Sequence, residues 1–126
     1  MLFLANMKEL TRAEEQVMQI LWQLKEAIVK DIIAKMPDPK PAYNTVSTVV
    51  RVLETKGAVG HKAYGNSHVY FPLFNQEEYK KFAFERMLNS YFGGSYKALV
   101  SYLVKENKLN LSELAELILL AEKSKK

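Results

Sequence analysis

Three prolines within five positions, Pro37, Pro39 and Pro41, restrict the fold of this 126-residue chain more than any other feature. Proline disfavours the helical conformation of the residue before it, so no helix runs through this stretch. Apolar residues recur at helical spacing on either side, over residues 29–36 and again from Tyr43 onward. The sequence therefore predicts two helices joined by a short, stiff connection.

A further helix is predicted before this pair. Thr11 and Glu14 have the spacing of a capping box, in which two side chains satisfy two backbone N–H groups at a helix start. Val17 and Met18 follow as an adjacent pair, and Leu21 comes four and three residues after them, which gives the helix one apolar face.

The segment after the prolines is rich in β-branched residues, among them Val46, Val49 and Val50. Propensity alone would favour a strand. Their spacing, continued by Leu53, favours a helix instead, and Gly57 is a natural stop. The polar side chains on the rest of its circumference are Asn44, Thr45, Ser47, Thr48 and Arg51.

Two short runs of β-branched and aromatic residues come next, over residues 59–64 and 69–73. The Gly65-Asn66-Ser67 sequence between them is a turn signal, so the pair predicts a β-hairpin.

Three further helices are predicted after the hairpin. The first covers residues 75–92 and ends at a glycine pair, and the second covers residues 95–106. Asn110 and Glu113 have capping-box spacing at the start of the last helix.

Apolar side chains lie around most of the circumference of these last helices. A region this short cannot bury so much apolar surface by itself, so a second copy of the chain is the expected partner. The predicted fold is mostly α with a small β-hairpin wing: a winged helix-turn-helix domain over residues 1–74 plus a C-terminal helical dimerisation region over residues 75–126. The side chains predicted to contact the partner in a homodimer are Tyr79, Phe82, Met87, Tyr91, Leu99, Leu103, Leu117 and Ile118.

The distribution of charge indicates double-stranded DNA as a partner. The net charge is +4, and no acidic residue occurs between Asp38 and Glu54 or between Glu54 and Glu77. In a winged helix-turn-helix, the second helix of the motif enters the major groove and the wing reaches the adjacent backbone. Small polar side chains can approach base edges there, and basic ones hold phosphates. The side chains predicted to bind DNA are Lys40, Tyr43, Asn44, Thr45, Ser47, Thr48, Arg51, His61, Lys62, Asn66 and His68.

Composition excludes several kinds of chemistry. The chain has no cysteine, which rules out disulfides, thiolate metal ligands and cysteine nucleophiles. His61 and His68 have no carboxylate or thiol near them in sequence to complete a metal site, and no catalytic constellation occurs, so we expect no metal, no cofactor and no enzyme. No run approaches the ~20 apolar residues of a membrane span or has the form of a signal peptide, so we expect a cytoplasmic protein without membrane insertion. Translation starts at Met1 or Met7.

Four groups of residues have the order and spacing of a known family. They are Leu10-Thr11 with Glu14, Val17-Met18 and Leu21-Trp22; Tyr43-Asn44-Thr45-Val46 with Thr48, Val49, Leu53 and Lys56-Gly57; Tyr70 and Pro72 in the wing; and Gly93-Gly94 before Leu99-Val100. Together they resemble the penicillinase-repressor family (BlaI/MecI/CopY).

The resemblance implies a bacterial transcriptional repressor that binds a near-palindromic operator as a homodimer and is released by a signal. In the penicillinase branch, a membrane sensor-protease system leads to cleavage of the repressor at an Asn-Phe bond. The corresponding stretch here contains Ser101, Tyr102 and Leu103, and the pair Tyr102-Leu103 departs from that pattern. The copper-responsive branch binds metal through a cysteine cluster, which this chain lacks.

Two alternatives share the predicted topology. One is a ligand-sensing winged-helix regulator, in which Tyr79, Phe82, Tyr91 and Phe92 line a pocket for an aromatic compound. The other is a winged helix used only for protein contacts. Binding of the latter to random duplex DNA would show little dependence on salt, because no phosphates would be involved.

Overall fold

The computed structural model describes residues 7–124, and this range contains six helices and one two-stranded antiparallel sheet. Of the two candidate start sites, Met1 lies outside this range and Met7 is its first residue; residues 125–126 of the basic C-terminus also lie outside it. In chain order the elements are α1 Arg12–Leu24, α2 Val29–Ala34, α3 Tyr43–Thr55, β1 Val59–Tyr64, β2 Ser67–Pro72, α4 Gln76–Phe92, α5 Tyr96–Lys105 and α6 Leu111–Lys123. The predicted fold class is confirmed.

The chain forms two compact units, Met1–Ala83 and Phe84–Lys126. The first unit contains the three N-terminal helices and the hairpin. The functional division between residues 74 and 75 stays a prediction, because it concerns what each part binds.

The capping box at the start of α1 is confirmed. The Thr11 hydroxyl accepts a hydrogen bond from the Glu14 backbone N–H at 3.2 Å, and the Glu14 carboxylate accepts one from the Thr11 N–H at 2.9 Å. Val17, Met18 and Leu21 are buried on the inner face of the helix. Capping and amphipathic spacing therefore fix both the start of α1 and the face that it buries.

The connection after α2 is held by a lysine as well as by the prolines. The Lys40 ammonium donates hydrogen bonds to the backbone carbonyls of Ala34, at 3.2 Å, and Met36, at 2.5 Å. These carbonyls have no partner within a helix that ends at this point, and a cation suits the negative end of the helix dipole.

The β-branched third segment is a helix, as its spacing predicts. Val46, Val50 and Leu53 of α3 are buried against α1 and α2. Burial of this face outweighs the strand propensity of the valines, which is a weak preference by comparison.

The hairpin differs from the prediction at its turn. β2 covers Ser67–Pro72 rather than residues 69–73, because Ser67 pairs with Tyr64 and leaves only Gly65 and Asn66 in the loop. Gly65 has φ +61°, as a type II′ turn requires at its first central position, and this tight turn brings Ser67 into the ladder.

An additional bridge joins the hairpin to the segment after α1. The backbone of Ala27 exchanges two hydrogen bonds with Tyr70, at 2.9 and 2.8 Å, on the outer edge of β2. This contact was not predicted; it shields the edge of β2 and holds the wing against the segment after α1.

The core of the first unit ends in an aromatic cluster. The Trp22 indole N–H donates to the Phe74 carbonyl at 2.9 Å, and the rings of Phe74 and Tyr79 stack with centroids 6.0 Å apart. The Tyr79 hydroxyl accepts a hydrogen bond from the Leu10 N–H at 3.1 Å. The start of α4 is thus part of the same core as α1.

The second unit buries few side chains within the chain. Leu88 is 1% exposed, whereas α5 and α6 contain no fully buried residue. Asn110 and Glu113 form the predicted capping box of α6, and Ser95, for which no cap was predicted, caps α5. The helices are therefore defined locally, but their apolar faces are open to solvent.

Candidate nucleic-acid interface

The outer face of α3 presents a polar strip. Asn44, Thr48 and Arg51 recur at spacings of four and three residues, opposite the buried valines, and all three are exposed. The Thr48 hydroxyl donates to the Asn44 carbonyl at 2.9 Å, which leaves its oxygen free to accept a hydrogen bond from an external donor. Thr55 continues this strip by a further turn and was missed, although the same spacing would have found it.

The start of α3 has no side-chain cap. Its N-cap is Ala42, whose side chain makes no hydrogen bond, and its first turn contains no acidic residue. By contrast, α1, α5 and α6 have capping side chains. A helix N-terminus left in this way provides backbone N–H donors and a positive partial charge, which favour a phosphate.

A groove of about 430 Å³ separates α3 from the wing. It brings together five of the predicted DNA-binding side chains, and Lys30 at the start of α2 adds a cation that the sequence analysis did not single out. The groove is lined by Ile28, Val29, Lys30, Tyr43, Ser47, Arg51, Asn66, Ser67, His68 and Tyr70.

Within the groove, the side chains of α3 contact one another. The Arg51 guanidinium lies 3.5 Å from the Ser47 hydroxyl, one turn away. Burial raises the pKa of Tyr70, and the negative charge of Glu54 raises it further. Tyr70 therefore stays protonated at neutral pH.

His61 and His68 lie on the side of the hairpin that faces α3. Their rings stack with centroids 4.4 Å apart and planes 15° apart. The His61 Nδ1 atom lies 2.6 Å from the Glu54 carboxylate of α3. Glu54 is thus brought beside the wing, in a region that the sequence suggested to be poor in acid.

Lys40 and Lys62, the two lysines predicted to bind the DNA backbone, have partners within the chain. Lys62 pairs with Glu26 at 3.0 Å, and both side chains are about half exposed. Lys40 caps α2, as described above, and lies 4.0 Å from Asp38. Thr45 is exposed on α3 but does not line the groove. With Asn44, Thr48 and His61, which do not line the groove either, these three residues make six of the eleven predicted residues that the groove does not bring together.

The side chains predicted for dimerisation fall into two groups. Tyr79 is 5% exposed and Phe82 packs against the same core in the first unit, so contacts within one chain account for both. The other six lie in the second unit. Tyr91 is 79% exposed and Leu117 and Ile118 are 50% and 60% exposed, whereas Met87, Leu99 and Leu103 are half-buried.

The region predicted for cleavage lies inside α5. Ser101 and Tyr102 are exposed and Leu103 is half-buried. The Tyr102 ring meets Phe92 edge-on with centroids 5.6 Å apart. The segment is helical, so a protease would need it to open first.

Residues 7–124 contain no group of three potential metal-ligating side chains. Within the same range, no helix is both long and apolar enough to cross a membrane.

The helix order, the hairpin and the polar strip define a winged helix-turn-helix protein of the class that binds DNA. Its family can be stated as well. The family model described as penicillinase repressor matches residues 10–123, so the chain belongs to that family, whose members are repressors rather than enzymes.

Individual relatives agree with this assignment. The chain is 30% identical over 112 residues to the penicillinase repressor of Staphylococcus aureus, covering 86% of this chain and 87% of that one. It is 24% identical over 118 residues to the penicillinase repressor of Bacillus licheniformis, covering 93% and 92% of the two chains. The solution structure of the DNA binding domain of the repressor BlaI superposes with a TM-score of 0.50 and 25% identity, over 56% of this chain and 88% of that one.

Proposed function

We propose that the protein represses transcription by binding an inverted-repeat operator in double-stranded DNA as a homodimer in the cytoplasm. The observation that carries this proposal is the groove between α3 and the wing, because it has Arg51 and Lys30 on its walls, and Arg51 also belongs to the polar strip of α3. The exposed polar side chains beside these cations suit one DNA strand next to a major groove.

The two sides of the groove have different tasks in this proposal. Asn44 and Thr48 face outward from α3 and read base edges, which supplies specificity. Arg51, from α3, and Asn66, from the wing, hold phosphates, which supplies affinity for every sequence. Lys62 exchanges its carboxylate partner for a phosphate, since an exposed ion pair of this kind contributes only about 0.2–1 kcal/mol.

The proposed dimer contact is the apolar surface of the second unit. Leu117 and Ile118 are joined on α6 by Leu119 and Leu120, which are 61% and 59% exposed. These four consecutive residues lie around most of the circumference of α6. So much exposed apolar surface on a short helix is typical of an interface, and a two-fold axis matches the symmetry of an inverted repeat.

Selection of bound duplexes from a random library tests the function directly. We expect an inverted repeat whose half-site centres lie about 10 base pairs, or a multiple of that distance, apart. A selected motif without two-fold symmetry would contradict the homodimer, and failure to enrich any motif would contradict the repressor.

We further propose that a signal releases the repressor through a membrane sensor-protease system and cleavage in α5. Family membership supports this step, and α5 supports it because its residues are exposed or only half-buried, so local opening costs little free energy. Cells exposed to a β-lactam should contain a shortened repressor when examined by immunoblot. A full-length chain throughout induction of the target genes would contradict cleavage as the route of release.

A further inference from the structure

Both histidines of the chain belong to one stack on the wing. The register of the hairpin places His61 opposite Tyr70 and His68 opposite Ala63, so the two histidines are diagonal neighbours on one face. His68 also lines the groove beside α3. The two titratable rings are thus in contact, and one of them lies on the wall of a groove with basic residues. A charged ligand in the groove would affect their protonation.

We propose that His68 is a phosphate-binding residue of the wing, that Glu54 and His61 position it, and that DNA binding therefore takes up a proton. The proposal rests on the proposed function, because the phosphate is that of a DNA strand in the groove. It gives the two histidines different tasks: only His68 contacts DNA.

The task of His61 follows from its hydrogen bond. A carboxylate only accepts hydrogen bonds, so His61 donates a hydrogen bond from its Nδ1–H group to the Glu54 carboxylate at 2.6 Å. This bond ties β1 to α3 and fixes the plane of the His61 ring. Because the His68 ring stacks on the His61 ring, the position of His68 in the groove is fixed as well.

The charged and titratable groups around His68 come from three sides. α3 contributes Arg51, Tyr43 and, through His61, Glu54, while α2 contributes Lys30. On the hairpin, Tyr70 lies with its ring centroid 6.2 Å from that of His68. Arg51 and Lys30 therefore place two cations in the same groove as the His68 ring. A phosphate in this groove would bring a negative charge to all three side chains.

The sign of the pH dependence follows from linkage. A phosphate raises the pKa of His68 in the complex above its value in the free protein, so the added affinity is present at low pH and is lost as the pH rises through the raised value. For an ordinary imidazole, with a pKa of about 6.5 that rises by one unit on binding an anion, affinity falls about sixfold per protomer between pH 6 and pH 8.

The test measures fluorescence anisotropy of a labelled random-sequence duplex at fixed salt from pH 6 to pH 8. The random sequence is suitable because a phosphate contact does not depend on base identity. We expect the affinity of the wild-type protein to fall about sixfold per protomer over this range, whereas His68→Gln should bind with nearly constant affinity. In Glu54→Gln, the side-chain oxygen still accepts the hydrogen bond from His61, but the negative charge is lost. The affinity of this variant should still depend on pH, with the midpoint of the dependence at lower pH. A purely structural role of Glu54 would not move that midpoint.

A second measurement does not depend on any variant. NMR titration of the wild-type His68 ring with and without the duplex should show a higher pKa in the complex. An unchanged pKa, or equal pH dependence in wild type and His68→Gln, would overturn the proposal and leave DNA binding intact. Absence of binding at every pH would instead overturn the proposed function together with this inference.

Discussion

Glu14 and Lys56 are far apart in sequence but form an ion pair at 2.7 Å that joins the start of α1 to the end of α3. The Glu14 side chain is 8% exposed, and the Lys56 ammonium also donates to the Glu9 carbonyl at 3.2 Å. Burial by itself would raise the pKa of Glu14, but hydrogen bonds from Lys56 and Thr11 and the charge of Lys56 together lower it. The carboxylate is therefore stabilised in its charged form.

Glu14→Gln should lower the free energy of unfolding by about 1.5–3 kcal/mol at pH 7, because glutamine keeps the capping box but loses the charged hydrogen bond. Since the pKa of Glu14 is lowered by folding, this contribution is present above the unfolded value of about 4.3 and is lost as the pH falls through the folded value. Urea unfolding at pH 7 and at pH 3 measures the difference. Glu15→Gln, exposed in the same turn, is the control, and an equal loss in both variants would contradict the role of the ion pair.

Arg51 and Thr48 should respond differently to substitution. Arg51→Gln removes a charge from the groove, so it should weaken binding to all duplexes alike. It should also reduce the slope of the logarithm of the binding constant against the logarithm of salt concentration by about one. Thr48→Val keeps the shape of the side chain but loses the acceptor, so it should cost about 1–3 kcal/mol at the selected operator and little on random DNA. Anisotropy titrations with both duplexes at several salt concentrations distinguish the two. The same sequence-independent loss in both variants would show that these roles are assigned wrongly.

At the scale of elements, local signals in the sequence were sufficient where one helix face or one cap decides the structure. The Thr11 and Asn110 capping boxes and the buried face of α3 are of this kind. The start of β2 at Ser67 was predicted wrongly, because the choice between a two-residue and a three-residue turn depends on cross-strand pairing. Pairing of the wing with Ala27 involves residues too distant in sequence to leave a periodic signal.

The same reasoning explains the candidate interface. The outward positions on α3 could be predicted from helical spacing, since the buried valines fix the opposite face. The partners of Lys40, Lys62 and His61 could not, because carbonyls at a helix end and carboxylates on other elements are brought near them only by the fold.

β1 needs a glycine at position 60 because of its cross-strand neighbour. A Cβ atom on Gly60 would lie 3.0 Å from two ring carbons of Phe71, its partner in the ladder. Gly60→Ala should therefore destabilise the hairpin by about 1 kcal/mol, the low end of what overpacking costs, because the Phe71 ring has to shift by a few tenths of an ångström. Amide hydrogen exchange of the wing measures this loss. Combining Gly60→Ala with Phe71→Leu should recover part of it, and additive losses would contradict a steric cause.

At the scale of the whole molecule, the second unit should depend on assembly. Ile118→Lys places a charge on the exposed apolar surface of α6, so it should produce a monomer that binds an inverted repeat much more weakly. Light scattering after size-exclusion chromatography measures the mass. Glu15→Lys, which makes an exposed acidic position on α1 of the first unit basic, is the control and should leave the mass unchanged. A dimeric Ile118→Lys variant would show that the dimer interface does not lie on this surface.

The aromatic cluster of the first unit has a spectroscopic consequence. Trp22 is the single tryptophan of the chain, and its indole is fixed by the Phe74 carbonyl and the Tyr79 ring. Its emission therefore reports on the first unit, whereas far-ultraviolet circular dichroism reports on helices of both. If dimerisation stabilises only the second unit, dilution should lower the unfolding midpoint seen by dichroism and leave the fluorescence midpoint in place. The unlabelled protein thus carries an optical probe for one of its two units.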